Sequence, residues 1–379
     1  MVNNEYVKLA SLLDGKKVIT ISPSFKLKND EILPEGKTMV ISQDQEYSVG
    51  YTNKSDEKLN KPPYVLFGDH TECFKWVENP FAQGADGVKI LKSNSDEISD
   101  RYLYYALLSC YNKTGFYERH FKLLRKTLIP NYDRKKQDKI VNILSKYDEK
   151  IENNNKRIKI LEQMAENLYK EWFVRFRFPG YENAEFENGI PKGWKFVKLK
   201  EVVKEVGKSI KKENREDYEY YLPIDFIPNK SMALRDVDSI KNAESSLQVF
   251  KQGDILFVAM RPYFHKVLYA PFKGITRKTC FVLNTKDKKY LDYLYCLLYQ
   301  KSSVDFANTV SVGSTMPYVR WQDFSRMNAL LPQENIVIEF SKHVSKILNR
   351  MRIFFFENLN LQKQRDALLP KLMSGKLEI

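Results

Sequence analysis

Two matched heptad seams constrain this chain more than any other feature. From Ile140 through Leu144, Tyr147, Ile151, Asn154, Ile158, Leu161, Ala165 and Leu168 to Trp172, the spacings alternate four and three. A 3.5-residue period is the seam of a coiled coil, and no Gly or Pro interrupts it. Adding 200 to each position gives Phe340, Val344, Ile347, Met351, Phe354, Asn358, Leu361, Arg365, Leu368 and Leu372, apolar except at Asn358 and Arg365. Each seam covers roughly 48 Å at about 1.5 Å per residue. Helices of that length need cover for their apolar stripe. They can pair with each other, or each with a helix of another subunit. Antiparallel, centre-aligned pairing matches residues whose numbers sum to 512, so Asn154 faces Asn358 and Tyr147 faces Arg365. An Asn pair in an apolar seam fixes register at some cost in stability, unless each Asn is merely tolerated. Leu168, Trp172, Leu368 and Leu372 close the seams and are candidates for register or subunit docking.

The segments between the seams also repeat. Tyr6-Val7-Lys8-Leu9 returns as Phe196-Val197-Lys198-Leu199, and Val65-Leu66-Phe67 as Ile255-Leu256-Phe257, both at an offset of 190. Pro80-Phe81 returns as Pro271-Phe272, and Tyr102-Leu103-Tyr104 as Tyr293-Leu294-Tyr295, at 191. Ile129-Pro130 returns as Leu331-Pro332 at 202. The chain therefore reads as module (1–133), helix (134–178), module (179–332, with a lead-in linker at 179–193) and helix (333–379). Runs such as Asp254 to Val258 and Thr279 to Leu283 predict strands, and Tyr102 to Cys110 and Tyr290 to Tyr299 predict helices. The expected fold class is α+β, with two similar domains joined by two long antiparallel helices in a pseudo-twofold repeat.

A formal charge of +14 suits a polyanionic partner, because lysine and arginine on phosphates release counterions. Cys73, Cys110, Cys280 and Cys296 form no CxxC pair, and the four histidines are scattered, so neither a zinc site nor a disulfide framework is expected. The N-terminal stretch lacks an apolar signal core, and no run of about 18 apolar residues suggests a membrane span. A cytoplasmic location is expected.

Two different modules held on antiparallel helices resemble an internal dimer, suited to two unlike DNA half-sites with the helices fixing their separation. Candidate DNA contacts in the second module are Lys208, Lys211, Lys212, Arg261, Lys266, Arg277, Lys278, Ser314, Thr315 and Arg320. Those in the first are His70, Thr71, Lys75, Arg119 and Lys122. For any one of them, a solvated surface role competes with base contact.

Catalytic motifs are lacking. Asn60-Lys61-Pro62-Pro63-Tyr64 approaches the loop of amino-methyltransferases, but Lys61 stands where a hydrogen-bond acceptor is needed. No GxxxxGK[ST], GxSxG or HExxH occurs, and Gly84-Ala85-Asp86-Gly87 reads as a turn.

The chain resembles the specificity subunits of type I restriction–modification systems over nearly its whole length. The resemblance rests on Glu166-Asn167-Leu168-Tyr169-Lys170-Glu171-Trp172-Phe173-Val174-Arg175-Phe176, Ile190-Pro191-Lys192-Gly193-Trp194, Gly253-Asp254-Ile255-Leu256, Pro332-Gln333 and the tail Leu368 to Leu377. It implies two target recognition domains reading an interrupted site in double-stranded DNA. It also implies helices that dock two adenine methyltransferase subunits, and association with ATP-dependent restriction subunits. S-adenosylmethionine and ATP would then sit on the partner subunits, with no cofactor on this chain. The first module lacks the Pro-x-Gly-Trp lead-in of the second. A free-standing DNA-binding regulator and a self-contained methyltransferase are the competing readings.

Overall fold

The computed structural model describes residues 6–84, 86–116, 118–244 and 246–379. Ala85, within the expected turn at Gly84 to Gly87, lies outside the described residues, as does the start of the N-terminal stretch. The chain forms two compact units, one of residues 1–150 with 361–379 and one of residues 151–360.

The first unit holds β1 (Tyr6–Lys8), α1 (Leu9–Asp14), β2 (Val18–Ile21), β3 (Thr38–Ile41), β4 (Gly50–Thr52), β5 (Tyr64–Gly68), β6 (Phe74–Val77), β7 (Phe81–Gln83) and β8 (Val88–Ser93). Then come α2 (Asp100–Cys110), α3 (Phe121–Leu124), β9 (Leu128–Pro130) and the start of α4 (Arg134–Tyr169). A four-stranded sheet, β2-β8-β5-β6, lies beside a three-stranded one, β4-β3-β7. Every residue of β5 is buried, which is why it reads as an unbroken apolar run and not as an alternation. Ser99 caps α2, and the Asp133 carboxylate accepts from the Lys136 N–H at 2.8 Å where α4 begins. Leu103, Tyr105 and Ala106 of α2 fill the core with Val65, Phe67, Ile140 and Leu144.

The second unit opens with the rest of α4, followed by the hairpin β10 (Phe186–Glu187) and β11 (Ile190–Pro191), then β12 (Lys195–Lys198), α5 (Leu199–Val202), β13 (Val203–Glu205), β14 (Lys208–Ile210) and β15 (Leu247–Phe250). Next are β16 (Ile255–Val258), β17 (Val267–Tyr269), β18 (Gly274–Arg277) and β19 (Cys280–Thr285). α6 (Leu291–Tyr299), α7 (Lys301–Thr309), α8 (Trp321–Phe324), β20 (Asn328–Leu331) and α9 (Glu334–Met373) complete it, with the tail of α9 belonging to the first unit. Its four-stranded sheet, β13-β19-β16-β17, repeats the first unit's order strand for strand. The three-stranded sheets differ: β3 and β7 run parallel, whereas β14-β15-β18 is wholly antiparallel.

Strand register corrects one sequence expectation. β1 pairs Tyr6 with Pro130, and β12 pairs Phe196 with Leu330. Pro130 thus corresponds to Leu330, an offset of 200 and not 202. The α3 and α8 helices are also 200 apart, as are the first residues of α4 and α9. The short Leu/Ile-Pro match misled because one Pro lies in a strand and the other after it.

The helices pair antiparallel within each unit, on the register that sums to 512. In the second unit Trp172 packs on Phe340 at 5.7 Å between ring centres, and Ile158 and Ala165 share a core with Phe354 and Val344. In the first unit Ile140 and Leu144 share a core with Leu368 and Leu372. A π-type turn at Lys170–Val174 extends α4, and the neighbours Trp172 and Phe173 are both buried there. Phe173 lies 4.6 Å from Tyr293, 4.8 Å from Phe340 and 5.8 Å from Trp194. The stretches Glu166 to Phe176 and Ile190 to Trp194 therefore meet in one aromatic core. Trp172 and Leu372 are buried inside their own units, and Leu168 and Leu368 pack half-buried against the same cores. Trp172 and Leu372 thus serve packing and cannot form a docking surface. Among the described residues, no helix is long and apolar enough to cross a membrane.

Candidate nucleic-acid interface

In each unit, the turn after the central strand meets the loop that leads into the short helix before the last strand. In the second unit this is the β16–β17 turn and the loop before α8. The Arg261 N–H donates to Pro317 O at 2.7 Å, and Val319 N–H to Ala259 O at 3.0 Å. Met260 and Val312 both form backbone bridges to Tyr318. Arg261 and His265 hold left-handed backbone conformations, at φ 50° and 53°. Such conformations cost free energy in non-glycine residues and persist only where surrounding bonds fix them. Ser314, Thr315 and Arg320 are exposed at this site, and Arg320 pairs with Asp323 at 2.8 Å. Tyr263, Phe264, Val312 and Met316 are exposed there too. None of these four stands among the charged and polar candidates, although apolar side chains inside a polar loop are a legible signal in the sequence.

The other candidates of the second module divide. Arg277, opposite Leu247, which is opposite Ile210, lies at one end of the three-stranded sheet. Lys211, Lys212 and Lys278 follow directly from that end and are exposed. Lys208 lies at the other end, opposite Val249. The half-buried Lys266 donates to Ile224 O at 2.7 Å, so its ammonium fastens the fold.

In the first unit, Glu72 organises the corresponding loop. It is 3% exposed, at φ 52°, and its carboxylate accepts from the Thr114 N–H at 2.8 Å, the Gly115 N–H at 2.9 Å and the Tyr111 hydroxyl at 2.7 Å. Burial alone would push its carboxyl up; those donors, with His120 beside it, outweigh burial and hold it at about 2. His120 is buried and bonds Phe116 O at 2.8 Å. Asp69 accepts from the Phe121 N–H at 2.6 Å. The result is a loop pinned at both ends, with Phe116 73% exposed and Arg119 and Lys122 exposed beyond it. Phe116 lies 200 before Met316, itself 59% exposed, so both units present an apolar residue at the matching loop position.

One first-module candidate, Lys75, is corrected, and His70 and Thr71 take part in the loop's own bonding. Lys75 is 5% exposed and donates to Ser42 O at 2.9 Å and Glu46 O at 2.5 Å. Its neighbourhood of half-buried strand explains why the sequence, which shows only a lysine near a turn, misplaces it. The Thr71 hydroxyl donates to Gln43 O at 2.5 Å, and the His70 N–H to Gln43 Oε1 at 3.1 Å, so both residues tie the turn to a neighbouring loop.

The helix seams carry two polar layers. Asn154 Nδ2 donates to Asn358 Oδ1 at 2.9 Å and to Glu357 Oε2 at 3.1 Å, while Asn358 Nδ2 donates to Asn155 Oδ1 at 3.0 Å. The expected partner of Arg365 was Tyr147; its ion pair is instead with the next residue, Asp148, at 2.7 Å. Asp148 also accepts from Arg101 at 2.8 Å and the Tyr105 hydroxyl at 2.5 Å. A guanidinium needs a carboxylate more than a phenol, and the extra donors from α2 make Asp148 the better-held acceptor.

The second module and the first half of α9 carry a match to the family model described as type I restriction modification DNA specificity domain, over residues 191–353. The chain is 30% identical to the type I restriction enzyme MjaIX specificity subunit of Methanocaldococcus jannaschii, over 75% of this chain and 70% of that protein. It is 26% identical to the MjaVIII specificity subunit of the same organism, over 76% of this chain and 73% of that one. Its fold is similar to the crystal structure of the type I restriction–modification S subunit from M. genitalium, with a TM-score of 0.55 at 16% identity and 98% of both chains covered. The chain belongs to the family of type I restriction–modification specificity subunits.

Proposed function

We propose that the chain is the non-catalytic, DNA-reading subunit of a modification complex, and that its two modules read two different halves of an interrupted duplex site. The duplicated sheet-and-loop arrangement on one antiparallel helix register is the observation that carries this reading. Each module would place its pinned loops against base edges, with Arg119 and Lys122 in the first, and Arg261, Ser314, Thr315 and Arg320 in the second. Lys211, Lys212, Arg277 and Lys278 would hold phosphates. The divergent three-stranded sheets give each module its own surface for a different half-site.

The helices would set the spacer and dock two adenine methyltransferase subunits, which bring S-adenosylmethionine. ATP-dependent restriction subunits would join that assembly. Co-expression with neighbouring gene products tests the reading: stable association with methyltransferase subunits is expected, along with specific DNA binding that depends on them. A chain that stays alone and binds its site tightly by itself would favour a free-standing regulator. Deleting one heptad from each seam should change the spacer and leave both half-sites intact, and altered half-sites with a constant spacer would contradict the ruler role.

A further inference from the structure

A second basic feature lies on the second module, away from its loops. β13, β14, the β15–β16 turn and the segment between β19 and α6 enclose a cavity of about 620 Å³. Lys204, Lys208, Lys251, Lys286 and Lys288 line it, all exposed, and none has an ion-pair partner among the described residues. The cavity's one carboxylate, Asp254, is buried and engaged by the Asn284 amide at 2.6 Å and the Lys251 N–H at 2.7 Å. Thr285 also lines the cavity; it is 3% exposed, and its hydroxyl has no hydrogen-bond partner among the described residues. Buried hydroxyls are normally satisfied, so an orphan one in a basic concavity points to an absent acceptor.

The first unit supplies an internal comparison. Val18 pairs with Ser93 as Val203 pairs with Thr285. Yet the Ser93 hydroxyl is engaged, 2.9 Å from Ser95 O and 2.7 Å from Ile98 O, and nearby Lys17 is paired with Glu97 at 2.5 Å. The orphan hydroxyl therefore has no counterpart at the matching position of the first unit. The hydroxyl and the cavity lysines lie away from the reading loops, because β16 leads from Asp254 at the cavity, just before its first residue, to Ala259 at the loop cluster, just after its last.

We propose that this cavity binds backbone phosphates of the DNA that flanks the second module's half-site, with the Thr285 hydroxyl donating to a phosphate oxygen. This rests on the DNA-reading function. The lysines come from four separate segments around an open concavity, which suits a run of phosphates better than one small ion. The walls of such a concavity also focus the field of its charges.

The test uses the full chain assembled with its methyltransferase subunits and a duplex carrying its site. Lys251→Gln/Lys286→Gln/Lys288→Gln should lower the salt slope of binding by about 2–3, at about 0.9 per phosphate contact, and weaken affinity roughly 10–100-fold near physiological salt. The recognised sequence should not change. Thr285→Val should weaken binding several-fold, on the order expected for one lost hydrogen bond, at an unchanged slope. Lys17→Gln/Lys26→Gln/Lys54→Gln removes the same charge from exposed, ion-paired lysines of the first unit and should leave the slope alone. An unchanged slope for the first triple, or equal changes for both triples, would overturn the proposal. Calorimetric binding of inorganic pyrophosphate that the first triple abolishes, with an unchanged DNA slope, would assign the cavity to a small phosphate and overturn it too. Failure of the unaltered complex to bind its duplex would instead count against the DNA-reading function.

Discussion

Asn154 donates its side-chain amide to Asn358 at 2.9 Å across the helix seam, with Asn154 fully buried. This hydrogen bond forms only in one register; a slip of one heptad either way sets the two amides against Arg365 and Leu161, or against Met351 and Tyr147. Glu357 and Asn155 complete the layer, so the bonds are shared among four residues. This layer fixes the register of the helix pair.

Replacing Asn154 alone with Leu should destabilise the chain by about 1–3 kcal/mol, because Asn358 loses a partner inside the seam. The double variant Asn154→Leu/Asn358→Leu should recover part of that loss while loosening register. A denaturation cycle over the four proteins should give a coupling of roughly 1 kcal/mol. Simple additivity would show that the two amides act independently.

Asp148 accepts from Arg101, Tyr105 and Arg365, which joins α2 to the helix seam within the first unit. Asp148→Ala should cost about 2–4 kcal/mol, since two guanidinium groups lose their shared carboxylate in a largely enclosed site. Denaturant titration measures this. Arg365→Ala should cost less, because Arg101 keeps Asp148.

Glu72 should make stability fall in acid. Its folded value of about 2 lies below the ordinary 4.5, so its contribution is fully present above about pH 4.5 to 5 and is lost as the pH falls toward 2. Glu72→Gln should flatten stability against pH across that window. It should also speed amide exchange at Thr114 and Gly115, whose N–H groups the carboxylate holds. Equal exchange in both proteins would contradict the loop-organising role.

Lys75 should behave unlike a DNA contact. Burial pushes its ammonium's pKa down, and its donors are spent on two backbone carbonyls. Lys75→Met should cost about 1–3 kcal/mol of stability and leave the salt slope of DNA binding unchanged. A slope reduced by about 1 would return Lys75 to the interface.

Much of this was legible in the sequence for a physical reason: long helices and buried strands repeat with fixed periods. The seam positions from Ile140 to Trp172, shifted by 200, place Asn154 opposite Asn358, and the side chains meet there. Strands at Ile255–Val258 and Cys280–Thr285 announce themselves as short apolar runs. Side-chain direction was not legible. Nothing in the composition around Lys75 tells a buried ammonium from a solvated one, and Glu72 shows its role only when the loop from Tyr111 folds onto it. The parallel pairing of β3 with β7 also escapes periodicity, because it depends on a crossover and not on either strand's pattern.

The most direct measurement of the central claim is the methylome of a host carrying the intact complex, with and without residues 196–331 replaced by the corresponding module of a relative. The account predicts an interrupted adenine motif that disappears when this chain is deleted, and in which the replacement rewrites one half-site and leaves the other half and the spacer unchanged. A motif that survives deletion, or a replacement that alters both halves, would contradict it.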